Sequence, residues 1–303
     1  MIMKFAKFCH FSPNFTTAYR FSHNKVRHKL IDKYSGFLDL VGEHGEGKIN
    51  LDIYKKHFEL TISNPSRKNA ISGKMMLDLA VSIDQMYTVL ENNNEIIGLI
   101  IKSTDDVFCS GADIILVKDI LFTSEKGKAM SLFMTDALSH IFEGPLISIA
   151  AMNGPALGGG AELALACDLR VITADSYLQF VHGKLGITPG WGGGSRLVSL
   201  VGRRLAIELL GTSRRLSSND ALKLDIVEKI VNNSVELMHA TSSVLLPYTQ
   251  QPYPSAVRAL KQVVVAATCY QANNSRYSSK ELELFTQRWA GPDHYHALNI
   301  VRR

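Results

Sequence analysis

Apolar segments with the pattern of buried strands alternate with amphipathic helical segments between residues 48 and 172. The runs at 96–103 and 146–152 are almost continuously apolar, as expected for parallel strands that are covered on both faces. Alternation of this kind predicts an α/β fold whose parallel strands are joined by right-handed helical crossovers. The predicted strands are 48–54, 57–63, 96–103, 146–152 and 168–172, and the predicted helices between them are 72–91, 129–142 and 161–167.

After Gly192 the pattern changes to helices with little strand between them. Residues 1–45 show no sustained hydrophobic period, so we expect a loosely ordered segment there. The predicted helices of the second half are 195–201, 204–210, 235–246, 255–270 and 280–300. The predicted division is a flexible basic leader at 1–45, an α/β core at 46–200 and a helical region at 201–303.

The basic residues are unevenly distributed along the chain. Its formal net charge is +5, yet six of the 33 Lys and Arg residues and none of the 28 Asp and Glu residues lie in residues 1–31. The rest of the chain is close to neutral, so we expect no nucleic-acid partner. The acid-free leader predicts either a mitochondrial transit peptide or a poorly ordered basic tail.

Neither a membrane span nor a metal site is expected. No apolar run approaches the roughly 20 residues that a bilayer-spanning helix needs. The four cysteines are widely spaced, and no pair has the spacing of metal ligands. We interpret them as reduced thiols in a reducing compartment.

The densest chemical signal is the glycine-rich segment 153–162, which follows a predicted strand and opens a predicted helix. Gly158, Gly159 and Gly160 permit backbone conformations closed to other residues and a close approach to a ligand. The first N–H groups of a helix have no internal partner and stabilise negative charge. Glu162 is expected about one helical turn from these donors.

Several explanations of this segment compete. A dinucleotide-binding loop needs G-x-G-x-x-G at the first helix and a P-loop needs Lys-Ser/Thr after the glycines, and neither is present. An oxyanion site for acyl chemistry fits the sequence, and tight helix–strand packing through small residues remains open. The segments 64–72 and 108–114 also follow strands, where open α/β sheets bind ligands, which predicts one composite pocket.

Five short motifs carry a family resemblance over about residues 48–300. They are Arg-Lys-Asn-Ala at 67–70, Ser-Gly-Ala-Asp-Ile at 110–114, the glycine-rich segment, Cys-Asp-Leu-Arg at 167–170 and Leu-Gly-Ile-Thr-Pro-Gly at 185–190. Together they resemble the crotonase (enoyl-CoA hydratase/isomerase) superfamily. The resemblance implies a spiral of ββα turns with a C-terminal helical trimerisation region. It also implies a homotrimer or hexamer, an acyl-CoA substrate, and no cofactor apart from the coenzyme A that belongs to the substrate.

Site residues follow from the same resemblance. The N–H groups of Ala112 and Gly159 are the implied oxyanion donors. Lys68 would approach a coenzyme A phosphate or be an ordinary exposed lysine of a turn. Trp191 would wall the acyl pocket or pack in the core. The remaining implied substrate-binding residues are Ala70, Ser110, Gly111, Asp113, Ile114 and Gly158.

The chain departs from the hydratases of this superfamily at one position. Hydratases hold water between two glutamates; the first matches Glu162, but the second falls on His182, and the Gln-Pro-Glu of hydratases is absent. Hydration is therefore disfavoured. Within the superfamily the chain most resembles members that decarboxylate malonyl-type thioesters. The matching residues are 64–67, 69–70, 159–162, 180–182, 191–193, 196–198 and 289–292.

That resemblance implies decarboxylation of ethylmalonyl-CoA, and less so of methylmalonyl-CoA, as cytosolic metabolite proofreading. Glu162 would then donate a proton or position water. His182 would contact the substrate carboxylate, donate the proton instead, or be a packed strand histidine. The alternatives are a hydratase or isomerase, or a non-catalytic binding protein of the same fold, and the leader keeps the mitochondrial matrix open as the compartment.

Overall fold

A computed structural model describes residues 29–271, 285–286 and 289–300. The strands are β1 Lys48–Ile53, β2 His57–Ser63, β3 Gly98–Ser103, β4 Ile147–Met152, β5 Ala156–Leu157, β6 Leu169–Thr173, β7 Tyr177–Gln179, β8 Leu216–Ser217 and β9 Lys229–Val231. The helices are α1 Leu30–Lys33, α2 Ser35–Val41, α3 Gly73–Asn92, α4 Ile114–Leu116, α5 Ser124–Phe142, α6 Gly159–Ala164, α7 Gly193–Thr212, α8 Ser218–Lys223, α9 Ser234–Thr249, α10 Pro254–Gln271 and α11 Pro292–Ile300. Short 3-10 turns lie at Pro65–Arg67 and Val181–Leu185, and a π-helical turn lies at Val117–Leu121.

Six strands form the main sheet, in the spatial order β1-β2-β3-β4-β6-β9. β1 and β2 pair antiparallel, and every later pair in this sheet is parallel. The predicted hairpin, parallel strands and crossover helices are therefore confirmed. α3 begins where predicted because the Ser72 hydroxyl accepts a hydrogen bond from the Met75 N–H and caps the helix.

A second set of short β pairings fixes the loops that carry the candidate residues. β5, β7 and β8 form a three-stranded sheet. Single-residue bridges join Ile71 to Ala112 and Cys109 to Ala156, and so extend this pairing to the loops after β2 and β3. Successive turns of the chain thus contribute a long strand, a short pairing and a helix, as in the expected ββα spiral.

Helices cover the main sheet on both faces. Leu99 and Ile101 belong to the larger apolar cluster, which contains the buried residues of α3 and α5. Ile100 belongs to a smaller cluster, in which Leu237 and Leu245 of α9 cover the opposite face. The continuous apolar run of β3 is thereby explained, because the side chains on both faces of the strand are buried.

The expectation of a loose segment as far as residue 45 is wrong for residues 30–41. α1 and α2 pack on α3, and the Asp84 carboxylate of α3 accepts hydrogen bonds from the N–H groups of Leu30 and Ile31. Helices of four and seven residues are too short to show a sustained hydrophobic period. Residues 1–28 lie outside the described part of the chain. The buried apolar side chains of this segment are Leu30, Phe37, Leu38 and Val41.

The second half differs from prediction in two places. The sequence pattern does not predict β9, because three residues are too few to show a period, yet β9 completes the main sheet. The predicted helix 280–300 is interrupted by a turn at Trp289 and Ala290, where Ala290 has φ 57°. The predicted break between 201 and 204 is confirmed by the non-helical backbone of Gly202 within α7. In the described ranges, no helix has the length and apolar character needed to cross a bilayer.

Candidate active site

The loops after β2 and β3, the start of α6 and the C-terminal residues enclose a cavity of about 460 Å³. All twelve site residues predicted from the sequence line it. They are Lys68, Ala70, Ser110, Gly111, Ala112, Asp113, Ile114, Gly158, Gly159, Glu162, His182 and Trp191. The three loops therefore form the composite pocket that their positions after strands predict.

Two backbone N–H groups in the cavity wall, those of Ala112 and Gly159, have no hydrogen-bond partner among the described residues. Around Ala112, the Ile71 N–H donates to the Gly111 carbonyl and the Asp113 N–H donates to the Ile71 carbonyl. The Ala112 N–H therefore points away from Ile71, because successive residues of an extended segment alternate in direction. Gly159 is the first residue of α6, so its N–H has no partner within the helix. The two loops touch: a Cβ on Gly111 would lie 3.1 Å from the Gly159 nitrogen.

The three consecutive glycines meet three different constraints. Gly158 has φ 51° and ψ −119°, a conformation that residues with a side chain rarely adopt. A Cβ on Gly159 would lie 2.6 Å from the Trp191 ring, and a Cβ on Gly160 would overlap the Cys109 carbonyl oxygen. The tight packing of these glycines brings the Gly159 N–H to the wall of the cavity.

Glu162 is 1% exposed, and its carboxylate accepts four hydrogen bonds. Oε2 accepts from the N–H groups of Trp191 and Gly193, each at 2.8 Å. Oε1 accepts from His182 Nε2 at 2.9 Å and from the Gly190 N–H at 3.3 Å. Burial raises the pKa of Glu162, but the ring of His182 and the backbone N–H groups outweigh it, so the net pKa is lowered. An ionised carboxylate with both oxygens occupied is suited to holding the imidazole and poorly suited to donating a proton.

His182 lies in the 3-10 turn after β7 and is 4% exposed. An ionised carboxylate only accepts hydrogen bonds, so Nε2 carries the hydrogen of the bond to Glu162. The other ring nitrogen, Nδ1, is buried without a hydrogen-bond partner among the described residues. Buried polar atoms are normally paired, so this geometry disfavours the interpretation of His182 as a packed strand histidine. The fold thus leaves one ring nitrogen of a cavity-lining residue unpaired within the described part of the chain, with almost no exposed surface.

The deep wall of the cavity is mainly aromatic and aliphatic. Trp191, Phe285 and Trp289 are each 3% exposed or less. The rings of Phe285 and Trp289 lie 5.0 Å apart between centroids, and Trp289 Nε1 donates to the Leu121 carbonyl at 2.7 Å. Trp191 therefore packs in the core and lines the cavity at once. Motifs and spacing do not identify the other apolar lining residues, which are Ile115, Val117, Met130, Leu157, Val181, Leu185, Ile187 and Leu298.

Exposed residues 66–68 form the rim, and two of them, Arg67 and Lys68, are basic. Buried amides hold this loop: the Asn64 N–H donates to Asn69 Oδ1, and Asn69 Nδ2 donates to the Val107 carbonyl, each at 2.7 Å. The two cations thus extend from a backbone that these hydrogen bonds fix. Sequence reasoning omitted Arg67, although it stands in the same motif as Lys68.

Two further polar lining residues serve the local structure. Asp113 Oδ1 accepts the Ile115 N–H at 2.8 Å and caps α4. The Ser110 hydroxyl donates to the Arg67 carbonyl at 3.3 Å. Behind the loop, burial raises the pKa of the Cys109 thiol to about 12, so it stays protonated. Within the ranges that the structure describes, no group of three His, Cys, Asp or Glu side chains could hold a metal ion.

Comparisons with known proteins converge on one family. The model of the enoyl-CoA hydratase/isomerase family matches residues 53–294. The ethylmalonyl-CoA decarboxylase of Bos taurus is 36% identical over 286 residues, which cover 94% of this chain and 88% of that protein. A solved enoyl-CoA hydratase/isomerase from Xanthobacter autotrophicus Py2 has a TM-score of 0.74 at 23% identity, covering 86% of this chain and 94% of that one. A candidate enoyl-CoA hydratase from Thermobifida fusca YX in complex with acetoacetyl-CoA has a TM-score of 0.63 at 25% identity, covering 83% and 95%.

Proposed function

The chain belongs to the enoyl-CoA hydratase/isomerase family, and from this premise we propose that it decarboxylates a malonyl-type acyl-CoA thioester. Ethylmalonyl-CoA is the proposed substrate and methylmalonyl-CoA the slower one. The similarity to the Bos taurus decarboxylase over most of both chains supports this proposal. The acetoacetyl-CoA bound to the Thermobifida protein supports an acyl-CoA as the ligand.

The observation that carries the proposal is the pair formed by Glu162 and His182. Hydration in this family needs two carboxylates with oxygens free to hold water. Here one carboxylate has both oxygens occupied by four donors, and the second position is an imidazole. A malonyl-type substrate brings its own carboxylate, which a second glutamate at position 182 would repel.

The first chemical step needs no base. The bond between the α carbon and the carboxylate breaks, CO₂ leaves, and the bond electrons move onto the thioester oxygen to give an enolate. The N–H groups of Ala112 and Gly159 would hold that oxygen, and each well-placed donor of this kind stabilises the transition state by about 3–4 kcal/mol. The α carbon must then accept a proton to give the saturated thioester.

His182 is the proposed source of that proton. A ring with hydrogens on both nitrogens donates through Nε2 to Glu162, and a shift of the ring that exposes the buried Nδ1–H would bring it to the enolate carbon. Glu162 accepts the hydrogen of Nε2 and holds the ring in place, so Glu162 is a positioning residue and His182 the general acid. The lowered pKa of Glu162 and the unpartnered Nδ1 support this division over the reverse one.

Incubation with ethylmalonyl-, methylmalonyl- and crotonyl-CoA, followed by mass analysis of the acyl-CoA products, tests the proposal. Loss of CO₂ from the first two is expected. Gain of water by crotonyl-CoA would instead establish a hydratase, and no change in any of them would favour a binding protein. His182→Ala is expected to slow CO₂ release or the protonation after it, whereas His239→Ala, outside the cavity, should leave both unchanged. Unimpaired turnover in His182→Ala would remove His182 from the mechanism.

We also propose that the chain assembles as a homotrimer or as a hexamer of two trimers. Leu260, Val263 and Val264 of α10 are each more than 60% exposed and share one helix face. An apolar stripe of this kind is typical of a surface that a partner covers. Light scattering should give three or six chains per particle, and Val263→Glu should lower that number; a monomeric wild type would contradict the assembly.

The proposed cellular role is proofreading in the cytosol, the removal of carboxylated side products made by an acyl-CoA carboxylase. Residues 1–31 hold six basic residues and no acid, so import into the mitochondrial matrix is the competing outcome. Fractionation of cells that express the full chain separates the two, because import would place it with matrix markers.

A further inference from the structure

The cavity contains a second histidine, His294, that the proposed reaction does not use. It lies in the first turn of α11, lines the cavity and is 2% exposed. Its ring packs against Trp289, with centroids 4.8 Å apart, and against Phe122 at 5.2 Å. These contacts fix the ring plane between two aromatic side chains.

A backbone hydrogen bond fixes the tautomer of this ring. The Ala290 N–H donates to His294 Nδ1 at 3.0 Å, so Nδ1 carries no hydrogen and the neutral ring keeps its hydrogen on Nε2. Burial lowers the pKa of His294 to about 4, so the ring is uncharged at neutral pH. Nε2–H has no hydrogen-bond partner among the described residues.

The surroundings show which substrate group this donor suits. α11 packs against the turn that carries His182, and both histidines line the cavity. The wall around His294 is otherwise apolar, with Trp289 and Leu298 beside it. The acyl part of a malonyl-type thioester has acceptors at two places, and the backbone donors already serve the thioester oxygen. The free carboxylate is the acceptor left to pair with a donor at the acyl end.

We propose that His294 Nε2–H hydrogen-bonds the free carboxylate of the bound substrate and thereby selects carboxylated acyl-CoA thioesters over their uncarboxylated counterparts. This specificity role rests on the proposed function. A neutral donor suits the reaction, since it orients the carboxylate without attracting it strongly. A cation would stabilise the carboxylate of the bound substrate, and that stabilisation would be lost as CO₂ forms.

The test compares ligands that differ only in the carboxylate. In the decarboxylation assay, the KM for ethylmalonyl-CoA and the inhibition constant of butyryl-CoA are measured for the wild type, His294→Leu and His294→Gln. A hydrogen bond to a charged group corresponds to roughly a 10- to 100-fold change in binding. His294→Leu should therefore raise the KM by about that factor and leave inhibition by butyryl-CoA nearly unchanged. Gln, whose amide N–H reaches the Nε2 position, should restore most of the loss, and His239→Leu should change neither constant.

Equal weakening of both ligands would overturn the proposal, because it would show a structural role for His294, and so would an unchanged KM. If His294→Leu does not fold, His294→Asn replaces it, since Asn keeps an acceptor for the Ala290 N–H and ends short of Nε2. If the wild type releases no CO₂, the proposed function fails separately. Binding of the same two ligands is then compared by calorimetry. A preference of the wild type for ethylmalonyl-CoA that His294→Leu abolishes would still support the carboxylate contact. If the wild type shows no such preference, the proposed contact is overturned.

Discussion

Glu162→Gln replaces one carboxylate oxygen by an NH₂ group without a change of shape. All four partners of the carboxylate donate hydrogen bonds, so the new NH₂ must face donors. If the amide oxygen keeps the two 2.8 Å bonds from Trp191 and Gly193, the NH₂ faces His182 Nε2 and the Gly190 N–H. His182 must then accept through Nε2 and move its hydrogen to Nδ1, which excludes the doubly protonated ring.

The expected magnitudes follow from these bonds. One of the four, from Gly190, is lost, the bond with His182 is reversed, and the remaining two no longer reach a charged acceptor. Since hydrogen bonds to charged groups contribute about 1.5–3 kcal/mol each, we expect a loss of about 2–4 kcal/mol in the free energy of unfolding at pH 7. Loss of the imidazolium as proton donor should lower kcat by about 100- to 1000-fold.

The stability effect has a defined pH dependence. The pKa of Glu162 is lowered in the folded chain relative to about 4.3 in the unfolded chain. The resulting stabilisation is complete above the unfolded pKa and is lost as the pH falls through the folded pKa. The difference between wild type and Glu162→Gln should therefore be largest at pH 6–7 and shrink below about pH 4.

Urea unfolding at a series of pH values, together with kcat for CO₂ release, checks both parts. Glu91→Gln, an exposed glutamate at the end of α3, is the matched control and should change neither quantity appreciably. A kcat for Glu162→Gln within twofold of wild type would refute the positioning role. A stability difference that does not change with pH would refute the assignment of Glu162 as an ionised, stabilised carboxylate.

Three further predictions concern the donors, the rim and the leader. Gly159→Ala should lower kcat by about 100-fold or more, because its Cβ would lie 2.6 Å from the indole ring of Trp191. Gly211→Ala, whose Cβ would meet nothing within 4 Å, should leave kcat unchanged. An unchanged kcat in Gly159→Ala would contradict the proposed role of the Gly159 N–H. Lys68→Gln should raise the KM a few-fold at low salt and less at 0.5 M salt, since screening weakens exposed charge pairs, and a salt-independent KM would argue against a phosphate contact. Deletion of residues 1–28 should leave kcat/KM unchanged, whereas deletion of 1–41 should lower Tm because it removes buried helices; an inactive but folded 1–28 deletion would be the contrary result.

The sequence predicts best those elements whose side chains repeat. The long strands and α3 follow from apolar periodicity, because one or both faces of each are buried. β5, β7, β8 and β9 have two or three residues each, so they show no period, and backbone pairing with distant segments defines them. α1 and α2 are missed for the same reason, although a carboxylate on α3 holds the start of α1 and both helices pack on α3.

The site divides in a similar way. Residue types at fixed spacing identify Glu162, His182 and the glycines, and the structure brings them together in one cavity. The sequence does not distinguish Glu162 from His182 as the proposed proton donor, because the hydrogen bonds that favour His182 come from backbone N–H groups of residues 190–193 to Glu162. Residue spacing does not identify His294, because a backbone N–H sets its tautomer and two aromatic rings bury it.

The distribution of charge in the cavity suits a nearly neutral protein body to bind the proposed polyanionic substrate and to remove its carboxylate. The exposed cations Arg67 and Lys68 stand at the rim, where we expect the phosphates of coenzyme A to remain bound throughout the reaction. At the deep end, the ionised Glu162 pairs with the ring that we propose to carry the proton, and His294 is a neutral donor. Strong attraction at the rim lowers the free energy of the bound substrate and of the transition state equally. Strong attraction to the carboxylate would stabilise the substrate alone and would oppose the conversion of the carboxylate into CO₂. A cation introduced by His294→Lys should therefore tighten binding of ethylmalonyl-CoA and lower kcat, and a variant with raised kcat would contradict this division of charge.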